Sequence, residues 1–222
     1  MAFRAIALAL VGAVLLTACD EGRDYDSSQG DDAYDLEAMA LHQADLPAGF
    51  QQAPGYSFEP EEWAEIFGSD DPEATVRQLE AQGWLENWVT EATPEKFGPV
   101  LNIRSVSTLY TNEDTAREST DRFACGLPLS LNVPLDPFVV PEMADQSNGF
   151  YVEEAIDESG TSLVYTTVCF RTGRIVHVVQ QASLPGIEDI GGAFRSATKM
   201  LARVDAVFDG ENANDGEDEE DG

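Results

Sequence analysis

The fold is decided by residues 161–208, which read TSLVYTTVCF RTGRIVHVVQ QASLPGIEDI GGAFRSATKM LARVDAVF. Two runs rich in β-branched and aromatic residues, at 161–170 and 174–180, are typical of strands. Between them lies the turn 171–173, where Gly173 can supply a positive φ. The pattern therefore predicts a β-hairpin, followed by a helix that packs on the sheet.

The C-terminal helix is the clearest element of the sequence. Pro185 stands at its expected start, acidic residues occupy its first turn, and Gly210 follows its end, as capping and helix-dipole preferences favour. Its apolar residues recur at spacings of three and four: Ile187, Ile190, Phe194, Ala197, Leu201, Val204 and Phe208. This stripe predicts one long amphipathic helix.

Similar patterns upstream predict further strands and helices. The expected strands are 88–92, 100–110 and 150–156, and the expected helices are 36–43, a turn or two from Pro60, 72–83, and a helix that opens at Thr111. Within 100–110 the apolar alternation changes phase, which indicates a β-bulge. Together these elements predict an α+β domain with a mostly antiparallel sheet and helices packed on one or both of its faces.

The composition is strongly acidic. Against 12 Lys+Arg stand 42 Asp+Glu, a net charge of -30, so nucleic acid is a poor partner for this surface. Residues 20–37 and 209–222 concentrate acidic residues and are poor in apolar ones, which predicts disorder at both ends. We therefore expect an acidic tether at 19–35, one folded domain at 36–208, and a tail at 209–222 that attracts divalent cations only diffusely.

The first 18 residues are expected to be a signal peptide. Arg4 precedes an apolar run at 5–16, which is too short for a bilayer span of roughly 20 residues. The run ends in LTAC at 16–19, which resembles the bacterial lipobox. The resemblance implies cleavage before Cys19 and acylation of its sulfur and amino terminus, with fatty acids such as palmitate.

The alternative is an ordinary cleaved signal peptide followed by an unrelated cysteine. Leu16 argues against this, because an ordinary cleavage site prefers a small residue there. Two or three acyl chains on Cys19 would attach the protein stably, since one chain alone binds only marginally. We expect a lipoprotein anchored in the bilayer on the extracytoplasmic face of the cell membrane.

Two cysteines remain once Cys19 is assigned to lipid. Cys125 and Cys169 form an even pair in an oxidising compartment, which favours a disulfide. Such a bridge would close a loop of about 45 residues and would stabilise the folded state by on the order of 4 kcal/mol. The alternative is a pair of buried free thiols that pack as small hydrophobic residues.

The sequence contains few groups suited to catalysis. His42 and His177 are its histidines, and His177 alternates with Ile175 and Val179, which indicates a core or interface histidine. The sequence has no paired-histidine zinc motif, no Cys-x-x-Cys, no Gly-x-Ser-x-Gly and no phosphate-binding glycine loop. These observations favour a non-enzymatic role over an enzymatic one, with no catalytic residues, cofactor or metal site predicted.

The segment 127–140 has an unusual pattern. Apolar residues take every second place from Leu127 to Leu135, and two of the alternate places hold proline, which excludes a central strand. We expect an edge strand or a polyproline-like arm. In this interpretation Leu129 and Leu131 cover the core, while Phe138 and Val139 form the exposed end of a candidate contact surface.

The order of elements over 84–208 resembles the PsbP-like sandwich of actinobacterial lipoproteins of the LpqN type. LPAGF at 46–50 and YTNEDTA at 110–116 are also similar to segments of uncharacterised bacterial lipoproteins. The resemblance implies a membrane-tethered binding or accessory domain for an unknown protein or an apolar small molecule. Two alternatives stay open: a carrier that holds an apolar ligand between sheet and helix, and an envelope glycan hydrolase that uses paired carboxylates.

Overall fold

A computed structural model describes residues 23, 25–66, 71–122, 124–126, 134–155 and 161–210. Within these residues seven strands form one sheet. The strands are β1 (Phe50–Gln52), β2 (Trp84–Pro94), β3 (Val100–Tyr110), β4 (Asp136–Phe138), β5 (Gln146–Ala155), β6 (Ser162–Thr172) and β7 (Ile175–Ser183). The helices are α1 (Leu36–Met39), α2 (Pro60–Ile66), α3 (Pro72–Ala81), α4 (Glu113–Arg122) and α5 (Ile190–Phe208).

The sheet consists of two antiparallel meanders joined side by side. Its spatial order is β1-β2-β3-β7-β6-β5-β4, and each neighbouring pair is antiparallel. The predicted hairpin is β6–β7, whose turn places Gly173 at a φ of 55°. The predicted α+β fold with a mostly antiparallel sheet and a long C-terminal helix is therefore confirmed.

Helices cover both faces of the sheet. On one face α1 and α5 pack over a core that includes Ile103 and Leu109. On the other face α3 and α4 pack over a core that includes Val106 and Tyr110. Because β3 is buried on both sides, its apolar residues need not alternate.

This arrangement explains the phase change within β3. The predicted bulge at that point is wrong, because the pairing of β3 with β7 is regular from Asn102 to Leu109. The register shift in this pair lies earlier, between Val100 and Asn102. Because both faces of β3 are buried, its apolar residues change from one face to the other without a bulge.

Helix α5 starts later than Pro185. Its N-cap is Asp189, whose side chain accepts a hydrogen bond from the backbone N–H of Gly192 at 2.7 Å. Ile187 and Ile190, the first two members of the predicted stripe, are exposed. The buried face instead comprises Gly192, Ala193, Ser196, Ala197, Met200 and Val204. Similarly, α4 is capped by Asn112 and not by Thr111, because the Asn112 side chain accepts a hydrogen bond from the backbone N–H of Thr115.

The described part of the expected tether belongs to the folded domain. Tyr25 and Tyr34 are buried, and their rings pack edge-on against Phe208 at centroid distances of 5.1 and 6.1 Å. Arg174 pairs with Asp31 at 2.6 Å and lies over the Tyr34 ring. The expectation of disorder fails here because two aromatic rings contribute apolar area that a count of acidic residues does not reveal.

Two expectations lie wholly or partly outside the described residues. The signal peptide and Cys19 precede the first described residue, and residues 211–222 of the acidic tail follow the last one. Their processing and disorder stay predictions.

The structure contains the predicted disulfide. Cys125, just after α4, is bonded to Cys169 of β6, with a Cα–Cα distance of 6.3 Å. Both residues are buried in the core between the sheet and α4. The bridge therefore fixes the start of the following segment to the middle of the sheet.

Candidate functional site

A pocket of about 560 Å³ lies between the first half of α5 and the β1–β2–β3 edge of the sheet. We call it the α5 pocket. Its other walls come from the loops at 45–50 and 94–100. Its volume is within the range of roughly 300–1,000 Å³ that small-molecule sites occupy. Many of its rim residues are exposed, so the pocket opens to solvent.

The floor of the α5 pocket is apolar. Ile103 of β3 contributes to the floor and also belongs to the core under α5. Phe50 and Val100 lie beside it, both half-buried. Three prolines continue this surface: Pro47, Pro94 and Pro99. The edge of the core is therefore open to a ligand at this point.

One polar group at the base of the pocket lacks a partner. Gln181 of β7 is 3% exposed, and its Oε1 accepts no hydrogen bond from the described residues. Gly192 of α5 lies over it, and a Cβ at that position would come within 3.2 Å of this oxygen. The same Cβ would collide with the Asp189 carboxylate that caps α5, so the missing side chain makes room for the cap beside this buried acceptor.

Three basic residues line the pocket. Lys96 and Lys199, the two lysines of the chain, both line it, together with Arg195. Lys199 Nζ donates to the backbone carbonyl of Asp45. Arg195 lies 3.5 Å from the Asp189 carboxylate, and its side chain is 71% exposed.

Three acidic residues also line the pocket: Asp45, Glu95 and Asp189. Asp45 forms an ion pair with Arg203, and both side chains are largely buried. Asp189 caps α5 through the N–H of its first turn. Glu95 accepts a hydrogen bond from the Gln51 side chain at 3.3 Å. Asp45 and Asp189 therefore hold the walls of the pocket together, whereas Glu95 forms no ion pair with a described residue.

The predicted contact surface lies elsewhere. Phe138 is on β4, at the sheet edge opposite β1, and its half-buried ring packs 4.8 Å from that of Tyr151. Val139 is 95% exposed. Leu129 and Leu131 lie outside the described residues, so their role in covering the core stays a prediction. The structure brings none of the described members of this surface to the α5 pocket.

The prediction of a core histidine is confirmed. His177 is fully buried, with Nδ1 3.0 Å from Ser107 Oγ and Nε2 2.9 Å from Thr172 Oγ1. Its ring stacks on Phe170. Burial lowers the pKa of His177 to about 3, so the ring is neutral at physiological pH. Its hydrogen bonds satisfy the core, and it does not line the α5 pocket.

The described residues contain no group of three or more His, Cys, Asp or Glu side chains placed to hold a metal ion. In the same part of the chain, no helix combines the length and the apolar character needed to cross a membrane.

Sequence reasoning missed the α5 pocket. Its lining comes from five separate parts of the chain, and no local motif links them. One signal was available, namely that an acidic chain with 12 basic residues contains lysine only at positions 96 and 199. The two lysines reach the same pocket only because α5 packs beside the β1–β2–β3 edge of the sheet, a position that the sequence pattern does not predict.

Comparisons with known proteins add little to this description. No family model matches the chain, and no curated protein matches it. Among solved structures, the extracellular domain of PknH from Mycobacterium tuberculosis is similar over 77% of this chain and 94% of that chain, with a TM-score of 0.46 and 12% identity. A likeness of this degree carries no argument about function.

Proposed function

We propose that this protein is an extracytoplasmic lipoprotein whose tethered domain binds a small ligand in the α5 pocket without transforming it. The observation that carries the proposal is the pocket itself, which combines an apolar floor, a buried acceptor without a partner among the described residues, and an open mouth. Sites that bind small molecules combine a mostly apolar lining with a few placed polar groups.

The membrane attachment is supported by the sequence around Cys19. The apolar run before it and the LTAC motif at 16–19 favour lipidation. The disulfide between Cys125 and Cys169 supports an oxidising, extracytoplasmic location, because such bonds are rare in the cytosol.

The geometry favours binding over hydrolysis. A glycosidase needs one carboxyl group to donate a proton and a second to attack or to activate water. At the α5 pocket Asp45 is paired with Arg203, and Asp189 is held at the N-terminus of α5. His177 is locked in the core by two hydroxyl groups. Glu95 is then the one lining carboxylate without an ion pair or a capping role among the described residues, and a single carboxyl group cannot fill both catalytic roles.

The carrier hypothesis is supported by the position of the pocket. The α5 pocket lies between sheet and helix, where a carrier would hold its ligand. Its rim, however, contains charged side chains of both signs, so the ligand must offer polar groups as well as an apolar body.

Native mass spectrometry of protein purified from its host tests the proposal. The variant Val100→Trp fills the pocket, and Leu85→Trp adds the same ring at an exposed position of β2 that does not line the pocket, as a matched control. We expect a small molecule to remain bound to the wild type and to the control, and to be lost from folded Val100→Trp. Equal retention by all three proteins would show that the ligand lies elsewhere.

A further inference from the structure

We infer that the α5 pocket binds a small amphiphile with an anionic head group, which Lys96, Lys199 and Arg195 hold at the mouth while its apolar body lies on the floor. This inference rests on the proposed function and names the class of ligand that the pocket takes.

The first support is the state of the two lysines. In the part of the chain that the structure describes, neither Lys96 nor Lys199 forms an ion pair. Lys199 donates to a neutral carbonyl of Asp45, whose carboxylate is occupied by Arg203. Two exposed ammonium groups therefore stand at one pocket of a protein whose net charge is -30. Of the three carboxylates that line the pocket, Glu95 is the one that forms neither an ion pair nor a helix cap with a described residue, so the available basic groups outnumber the available acidic ones and attract an anionic ligand.

Arg195 adds a third cation to this group. It lies one helical turn from Lys199 on α5, and both residues line the pocket. Its contact with Asp189 is long, at 3.5 Å, and solvent-exposed, so it holds the guanidinium only weakly. The guanidinium can therefore turn toward a carboxylate or phosphate at the mouth.

The surrounding charge explains why the ligand must also be apolar. The acidic surface repels small anions, and at physiological salt this repulsion is screened beyond about 8 Å. A simple anion would gain the local attraction of the cations but would be opposed by the field of the whole protein. An apolar body adds a contact that does not depend on this field.

The apolar part of the site is its floor, which Phe50, Val100 and Ile103 form. The exposed basic residues line the same pocket, so a ligand can place its apolar body on the floor and its head group among them.

Two fluorescent dyes test the inference directly. 8-Anilinonaphthalene-1-sulfonate is an apolar body with an anionic sulfonate, and N-phenyl-1-naphthylamine is nearly the same body without the charge. We expect the wild type to bind the sulfonate dye in a one-to-one complex and more tightly than the neutral dye. Val100→Trp should abolish both complexes, which places them in the α5 pocket.

The lysines are tested by a double variant. The double variant Lys96→Met and Lys199→Met should weaken the affinity for the sulfonate dye by roughly 10-fold or more, because two charge-assisted contacts are lost. The neutral dye should bind as before, which shows that the pocket remains folded. The matched control Arg77→Met with Arg117→Met removes the same charge from exposed positions on α3 and α4 and should leave both affinities unchanged.

Competition then identifies the head group. Dodecanoate and dodecyl phosphate should displace the sulfonate dye, and their relative potency distinguishes a carboxylate ligand from a phosphate ligand. Dodecanol, which has the same chain without charge, should displace it poorly.

The outcomes separate the two proposals. If both dyes bind equally and the lysine variant weakens neither, the anionic head group is refuted while the pocket remains a binding site. Equal displacement by dodecanol would refute it in the same way. If neither dye binds the folded wild type, the proposed function fails and this inference fails with it.

Discussion

Lowering the pH should destabilise the protein through His177. The folded pKa of this fully buried ring is about 3, against an ordinary value of 6.5, because burial disfavours the charged form. In the unfolded chain His177 therefore takes up a proton below about pH 6.5. In the folded chain it takes up that proton only near its lower pKa of about 3. The stability contributed by the neutral ring is present above the unfolded pKa and is lost as the pH falls below it.

The size of the effect follows from the shift. Each pH unit below the unfolded pKa lowers the free energy of unfolding by about 1.4 kcal/mol until the folded pKa is approached. At about pH 5 the loss attributable to His177 is therefore about 2 kcal/mol. The acidic residues contribute a pH dependence of their own, which must be removed by comparison with a variant.

Urea unfolding of the wild type and of His177→Gln provides that comparison. The variant should be less stable at about pH 7.5 by roughly 1–3 kcal/mol, because Ser107 and Thr172 lose a hydrogen-bond partner. This difference should shrink by about 2 kcal/mol at about pH 5, where only the wild type suffers the cost of keeping a neutral histidine. His42→Gln, at the other histidine, is the matched control. Equal pH slopes in the wild type and His177→Gln would refute the reasoning.

Four further outcomes can be measured. Metabolic labelling with a fatty-acid analogue should label the wild type and not Cys19→Ala, and an unlabelled wild type would overturn the lipoprotein proposal. Tyr25→Ala should lower the free energy of unfolding in urea by about 3 kcal/mol, because the buried ring contacts the core and the hydroxyl donates to Asp205 of α5 at 2.9 Å. An unchanged urea midpoint would mean that this segment does not pack on the domain in solution. Peptide mapping without reductant should recover the Cys125 peptide joined to the Cys169 peptide, and reduction should lower the melting temperature. Alkylation of both cysteines in the unreduced secreted protein would contradict the bridge. Truncation after Gly210 should leave the melting temperature nearly unchanged, and a large decrease would show that the acidic tail binds the domain or a cation.

Much of the fold was predictable because it depends on short-range patterns. The alternation and turn chemistry around Gly173 identify the hairpin, and the expected strand 100–110 coincides with β3. Apolar spacing identifies α5, and cysteine parity identifies the bridge from Cys125. Each of these inferences needs only residues that are close in sequence, or a count of one residue type.

The tertiary structure alone decided what depends on contacts between distant residues. Whether Tyr25 is disordered or buried depends on the position of Phe208, near the opposite end of the chain. The phase change in β3 depends on helices that cover both faces of the sheet. The α5 pocket exists because α5 packs beside the β1–β2–β3 edge of the sheet, which sets Lys199 at the same opening as Lys96. Local propensity contains no information on such pairs, since their proximity is set by packing rather than by sequence separation.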